Sequence, residues 1–192
     1  DFSRFIALDS TNVEAYFYRG LSNYYLENYK EALKDYNRVV KMDSTYPNIY
    51  LERSYVRLHT EDYKGAIDDC TKTISSDKLS FKAYINRAFA FHKLEKYSDA
   101  IEDYNTSISI DSNYIDAYFQ RGHTKFSNGD DKGAIEDFAT VISLSPNDAK
   151  AYYNRALVYS LIGNKKAACV GFKKAAALGH VKAIDSVVEE CL

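Results

Sequence analysis

Proline and glycine are scarce in this chain, with two of the first and eight of the second in 192 residues. No stretch can therefore serve as a flexible linker, and one continuous domain is expected. Long apolar runs are missing as well, so no membrane insertion is expected. Charge of one sign is also lacking. Lys and Arg number 25 against 27 Asp and Glu, a formal net charge of −2. That balance carries no electrostatic footprint for nucleic acid. There is no glycine-rich phosphate loop, no nucleophile elbow and no kinase signature. Histidine is limited to His59, His92, His123 and His180, none within a Cys/His/Asp cluster of metal-ligand spacing. Neither metal, cofactor nor catalytic centre is expected.

Cysteine is rare too. Cys70 is expected to be a buried small apolar residue. Cys169 and Cys191 come near one another if the C-terminal tail stacks on the preceding helix. Free thiols are the expectation for that pair, with a disulfide as the alternative in an oxidising compartment.

What the chain does have is repetition. In Phe81–Tyr114, Tyr84, Ala88 and Phe91 recur at helical spacing, as do Ala100, Tyr104 and Ile108, so two short amphipathic helices are expected. A step of 34 residues finds copies of this segment. Tyr16, Tyr50, Tyr84, Tyr118 and Tyr152 fall in register, and so do Arg19, Arg53, Arg87, Arg121 and Arg155. A third ladder is Ala32, Ala66, Ala100, Ala134 and Ala168. Gly20, Ser54, Ala88, Gly122 and Ala156 form a small-residue ladder. Tyr36, Tyr104, Phe138 and Phe172 form an aromatic one, with Cys70 the departure.

A helix–turn–helix period of 34 residues resembles that of the tetratricopeptide repeat family. The resemblance covers five units, 13–46, 47–80, 81–114, 115–148 and 149–182. It implies an all-α fold: a right-handed superhelical solenoid of antiparallel helix pairs, no pair stable without its neighbours. The chain departs from the family by carrying arginine where leucine is common in the first helix. Residues 1–12 match 35–46 almost position for position, so they are expected to be the second helix of a truncated unit, with the natural protein continuing upstream. Residues 183–192 are expected to form a C-terminal cap, with Ile184, Val187, Val188 and Cys191 on the packed face.

Helix starts are marked by Asn28, Asp62, Asp130 and Asn164, whose side chains can accept from first-turn amides; Asn28 with Glu31 has the outline of a capping box. A further ladder, Asp1, Asp35, Asp69, Asp103 and Asp137, stops at Gly171. Pairing each arginine with the aspartate of the preceding unit matches all five, whereas pairing within a unit strands Arg155. An inter-unit ladder, Arg53 with Asp35 and so on, is therefore expected. Acidic pairs such as Asp68-Asp69 and Glu102-Asp103 read as solvated helix faces.

The resemblance further implies that first helices line a concave groove for a peptide or protein segment. Carried over by position, its residues are Phe17, Leu21, Tyr24, Leu51, Tyr55, Ile85, Phe89, His92, Phe119, His123 and Tyr153, with Asn86 among the polar flanks. Pairs such as Phe17/Leu21 and Leu51/Tyr55 fill the places where chaperone-binding relatives need lysine and asparagine, so capture of a chaperone tail is not expected. The expected function is a non-enzymatic protein-interaction scaffold. The alternatives are the repeat arm of a larger enzyme or of a secretion or assembly component, and a module that self-associates through its N-terminal end.

Overall fold

Two short amphipathic helices per period cannot each bury an apolar stripe alone, and the computed structural model, which describes residues 2–191, shows how they share that task. The described residues form twelve α-helices and no strand. They divide into two bodies at Glu95/Lys96. The first holds α1 (Phe2–Leu8), α2 (Val13–Tyr25), α3 (Tyr29–Met42), α4 (Ile49–His59), α5 (Tyr63–Ser76) and α6 (Phe81–Lys93). The second holds α7 (Tyr97–Ile110), α8 (Ile115–Ser127), α9 (Asp131–Leu144), α10 (Ala149–Leu161), α11 (Lys165–Ala177) and α12 (Val181–Cys191). Within each body every helix packs on the next, and in the first body α2 also touches α4, and α4 touches α6.

The ladders mark the interior. Ala32, Ala66, Ala100, Ala134 and Ala168 are fully buried, as are Tyr36, Tyr104, Phe138 and Phe172, and Cys70 fills the aromatic place in its own hairpin. Burying one such ring stabilises by about 2 kcal/mol. Glycine on one helix allows the close approach. A Cβ at Gly20 would lie 2.8 Å from the Tyr36 ring, and one at Gly171 would lie 2.7 Å from Ala156 Cβ.

Each first helix ends in a left-handed residue at the same register: Glu27, Glu61, Glu95, Gly129 and Gly163. The amide of the following residue reaches back five positions, as in Asn28 N to Asn23 O at 2.8 Å and Asn164 N to Tyr159 O at 2.8 Å, which closes the helix end. Asp62, Asp130 and Asn164 cap the second helices through their side chains. Asn28 does not, and Glu31 instead binds Lys34, so the capping box is absent. Asn12 and Asp148 cap first helices, a role not assigned from the sequence.

The arginine ladder runs the other way from expectation. Arg19 Nε and Nη2 donate to Asp35 at 2.9 and 2.6 Å, Arg53 to Asp69 at 2.8 and 2.7 Å, and Arg121 to Asp137 at 2.8 and 2.6 Å. The partner lies sixteen residues on, across the hairpin's own turn, not in the preceding hairpin. Folding α2 back on α3 brings these two positions face to face, and counting mates along the sequence cannot register that geometry. The third nitrogen does reach backward, from Arg53 Nη1 to Asn37 at 2.9 Å and from Arg121 Nη1 to Asn105 at 2.6 Å. Asp69 and Asp103 are accordingly buried, and only Asp68 and Glu102 are solvated.

At the C-terminal end α12 packs through Ala183 and Val187. Ile184 and Val188 remain 55% and 59% exposed, so the apolar face divides between core and solvent. Cys169 and Cys191 form a disulfide, overturning the expectation of free thiols; stacking α12 on α11 sets their Cα atoms 5.4 Å apart, within bridging range. Cys70 is buried, as expected.

Candidate functional site

All eleven residues assigned to the groove are half-buried. Their environments differ between the two bodies. In the first body, α2, α4 and α6 supply Phe17, Leu21, Tyr24, Leu51, Tyr55, Ile85, Phe89 and His92. Contact between neighbouring first helices brings Tyr24 within 6.4 Å of Tyr55, measured between ring centroids. Phe17 leans on Tyr36 at 5.8 Å and on Tyr46 at 4.9 Å, so one edge belongs to the core. The Lys93 ammonium stands 5.2 Å from the Phe89 ring centroid. Burial lowers the pKa of His92, and Lys93 adds to the effect, so its neutral ring is favoured.

Two polar groups sit among these side chains. Burial raises the pKa of the Glu52 carboxyl, and Lys82 opposes that rise. Asn86 was expected on the polar flank but is buried, and its Nδ2 donates to Ser54 Oγ at 3.0 Å. It is a seam between α4 and α6, withdrawn from any ligand.

In the second body, α8 supplies Phe119 and His123, and α10 supplies Tyr153. Phe119 and His123 meet edge to face at 4.9 Å, and both press on Phe138, at 5.7 and 5.3 Å. Tyr153 stacks on His180 at 4.1 Å and tilts against Phe172 at 5.7 Å. These residues therefore present edges and not whole faces.

Two features escaped sequence reasoning. His59 stacks flat on Tyr29 at 4.4 Å, where the end of α4 meets the start of α3. The position of Tyr29 recurs as Tyr63 and Tyr97, but that of His59 runs Tyr25, His59, Lys93, Ser127 and Leu161, so only one member of the pair lies on a consistent ladder. The second is charge segregation. Seven of the 25 Lys and Arg, and none of the 27 Asp and Glu, lie in residues 149–184. A sum over the whole chain conceals this, and a sum over each repeat reveals it. Among the described residues, no three His, Cys, Asp or Glu side chains converge as a metal would require, and no helix is long and apolar enough to cross a membrane.

Comparison with known proteins bears on the fold. Residues 13–46 match a family model described as tetratricopeptide repeat, and 149–178 match a second of the same description. Residues 88–129 and 122–163 match a third, described as TPR repeat. No curated protein matches the chain. Among solved structures, one of MamA is 26% identical with a TM-score of 0.78, over 85% of this chain and 96% of that one. A second MamA structure, also 26% identical, has a TM-score of 0.79 and covers 89% and 93%. YrrB, described as a TPR protein with an unusual peptide-binding site, is 22% identical with a TM-score of 0.76 over 96% of both chains. At that identity YrrB is a likeness of fold.

Proposed function

The chain belongs to the tetratricopeptide repeat family, and from that premise we propose that it is a non-catalytic protein-interaction module whose first helices bind a peptide or an extended segment of another protein. The observation that carries this reading is in the first body. There α2, α4 and α6 lie side by side, and Leu21, Leu51, Tyr55, Ile85 and Phe89 are held half exposed instead of being withdrawn into the core. Aromatic and aliphatic side chains fixed on rigid helices give large contact area with little rotamer entropy left to lose. Glu52 and Lys82 supply one charge of each sign beside them. The ligand favoured is thus an apolar segment with flanking polar groups. That YrrB is described as peptide-binding is in keeping with such a role for the shared fold.

The test is affinity capture from a cell extract with the wild-type chain beside Leu51→Glu/Tyr55→Glu, identifying bound proteins by mass spectrometry. Both positions are half-buried, so circular dichroism first checks that the variant keeps its helicity. The wild type should recover partners that the folded variant loses. Equal recovery by both would remove the first-helix surface from consideration.

A further inference from the structure

The arginine ladder contains a vacancy. Besides the forward pair with aspartate, the other first helices hold their arginine through a backward bond to a hydroxyl or amide. These bonds run from Arg19 to Ser3 at 3.4 Å, Arg53 to Asn37 at 2.9 Å, Arg87 to Thr71 at 3.1 Å and Arg121 to Asn105 at 2.6 Å. At Arg155 both partners are deleted. The position sixteen residues on is Gly171, and the position sixteen residues back is Ala139. Arg155 makes no hydrogen bond or ion pair with any described residue. It lies half-buried with its guanidinium carbon 5.8 Å from the centroid of the Tyr152 ring.

Its surroundings are shaped and charged. Arg155, Tyr159, Asn164, Lys166, Val170 and Gly171 line an open depression of about 440 Å³. The Lys174 ammonium stands 5.9 Å from the centroid of the same Tyr152 ring, a second cation on that aromatic. Val170 is 65% exposed at the rim. No acidic residue occurs from 149 to 184 to neutralise the cluster. A planar fork of donors held without a counter-charge is matched by a planar carboxylate. We propose that this slot receives an Asp or Glu side chain from an acidic segment of a partner protein, completing from outside the pair that the other hairpins complete from within. Lys166 and Lys174 engage neighbouring acids of the same segment, and Val170 and Tyr159 give it apolar contact. The slot is separate from the groove surface, because Arg155 lies two residues from Tyr153 and so points to another side of α10.

The test uses fluorescence anisotropy of a labelled peptide alternating glutamate and valine, at low salt, with the full chain. Arg155→Gln should weaken binding at least about tenfold, the loss of one charge-assisted interaction. A second variant, Ala156→Gly/Gly171→Asp, copies the Gly20/Asp35 arrangement and supplies an internal mate. It should weaken binding as much while retaining helicity and melting temperature. Lys34→Gln/Lys41→Gln on α3 should leave binding unchanged. Equal affinity in all forms would overturn the proposal, as would a loss in Lys165→Gln as large as in Arg155→Gln. Tighter, Arg155-dependent binding of an RNA oligonucleotide would overturn it in favour of nucleic acid. Dimers of the wild type that Arg155→Gln dissolves, with no peptide binding, would overturn it in favour of a second copy.

Discussion

Removing the Asp69 carboxylate should loosen one hairpin more than any other single change in the arginine ladder. The Arg53 and Asp69 side chains are 9% and 1% exposed, and two parallel bonds join them. Arg57 Nη1 also reaches Asp69, at 2.9 Å, so Asp69→Ala takes the buried carboxylate from two guanidinium groups, leaving Arg53 only Asn37, and Arg57 the Gly65 carbonyl and Asp62 at 3.4 Å. Breaking a buried pair from one side costs about 3–5 kcal/mol, since the remaining charge is left desolvated. Arg53→Met should cost less, about 1–3 kcal/mol, because Asp69 keeps its bond to Arg57. Arg19→Met should cost about 1–3 kcal/mol: Arg19 is 31% exposed, but the Asp35 side chain it leaves is 5% exposed and keeps only Asn23, at 3.4 Å. Urea unfolding followed by circular dichroism gives the totals. Repeats need not unfold as one unit, so amide hydrogen exchange must locate the damage. Protection should fall in α4 and α5. A loss confined to α5 and α6 would mean that the operative pairing runs between hairpins, and a cost below about 1 kcal/mol would refute the desolvation reasoning.

Other outcomes follow from the same structure. Reducing the Cys169–Cys191 disulfide should destabilise the α11–α12 end by about 3 kcal/mol and speed exchange in α12, while α8 and α9 keep their protection. Glu61 adopts φ 59°, so Glu61→Gly should stabilise by about 1 kcal/mol and raise the melting temperature; a fall would show that the turn does not strain that residue. The Glu52 carboxyl is held above its ordinary pKa by burial, so the folded chain keeps that proton longer than the unfolded chain does. Stability is therefore lost as pH rises through the raised pKa. Glu52→Gln should stabilise at neutral pH and give no gain below about pH 4. A gain of equal size at both would dismiss the carboxyl as its source.

Much of the fold was legible because burial repeats whenever the hairpin repeats. Ala66 and Ala134, two periods apart, are both fully buried, so the period is written in residue types. The direction of the arginine pairs was not legible. Both assignments place Arg and Asp on amphipathic helices, and only the back-folding of α2 on α3 decides between them. The count that favoured the wrong one did so by requiring a mate for every arginine, whereas Gly171 leaves Arg155 without the aspartate that stands sixteen residues on in the other hairpins. The packed face of α12 was misjudged for a related reason. Ile184 and Val188 are apolar, yet no element covers them among the described residues, and hydrophobicity alone does not specify a neighbour. Surface residues were read by position with mixed outcome. Asn86 has the right place for a ligand contact and is occupied by Ser54, while Phe119 and Tyr153 divide their rings between surface and core.

The central claim, that first helices carry the binding surface, is tested most directly by site-specific photo-crosslinking in a cell extract. One photoreactive side chain replaces half-buried Tyr55 on α4, and the other replaces exposed Lys64 on α5. The expected result is a discrete protein adduct from position 55 and none from position 64. An adduct from position 64 alone, or equal adducts from both, would contradict the claim.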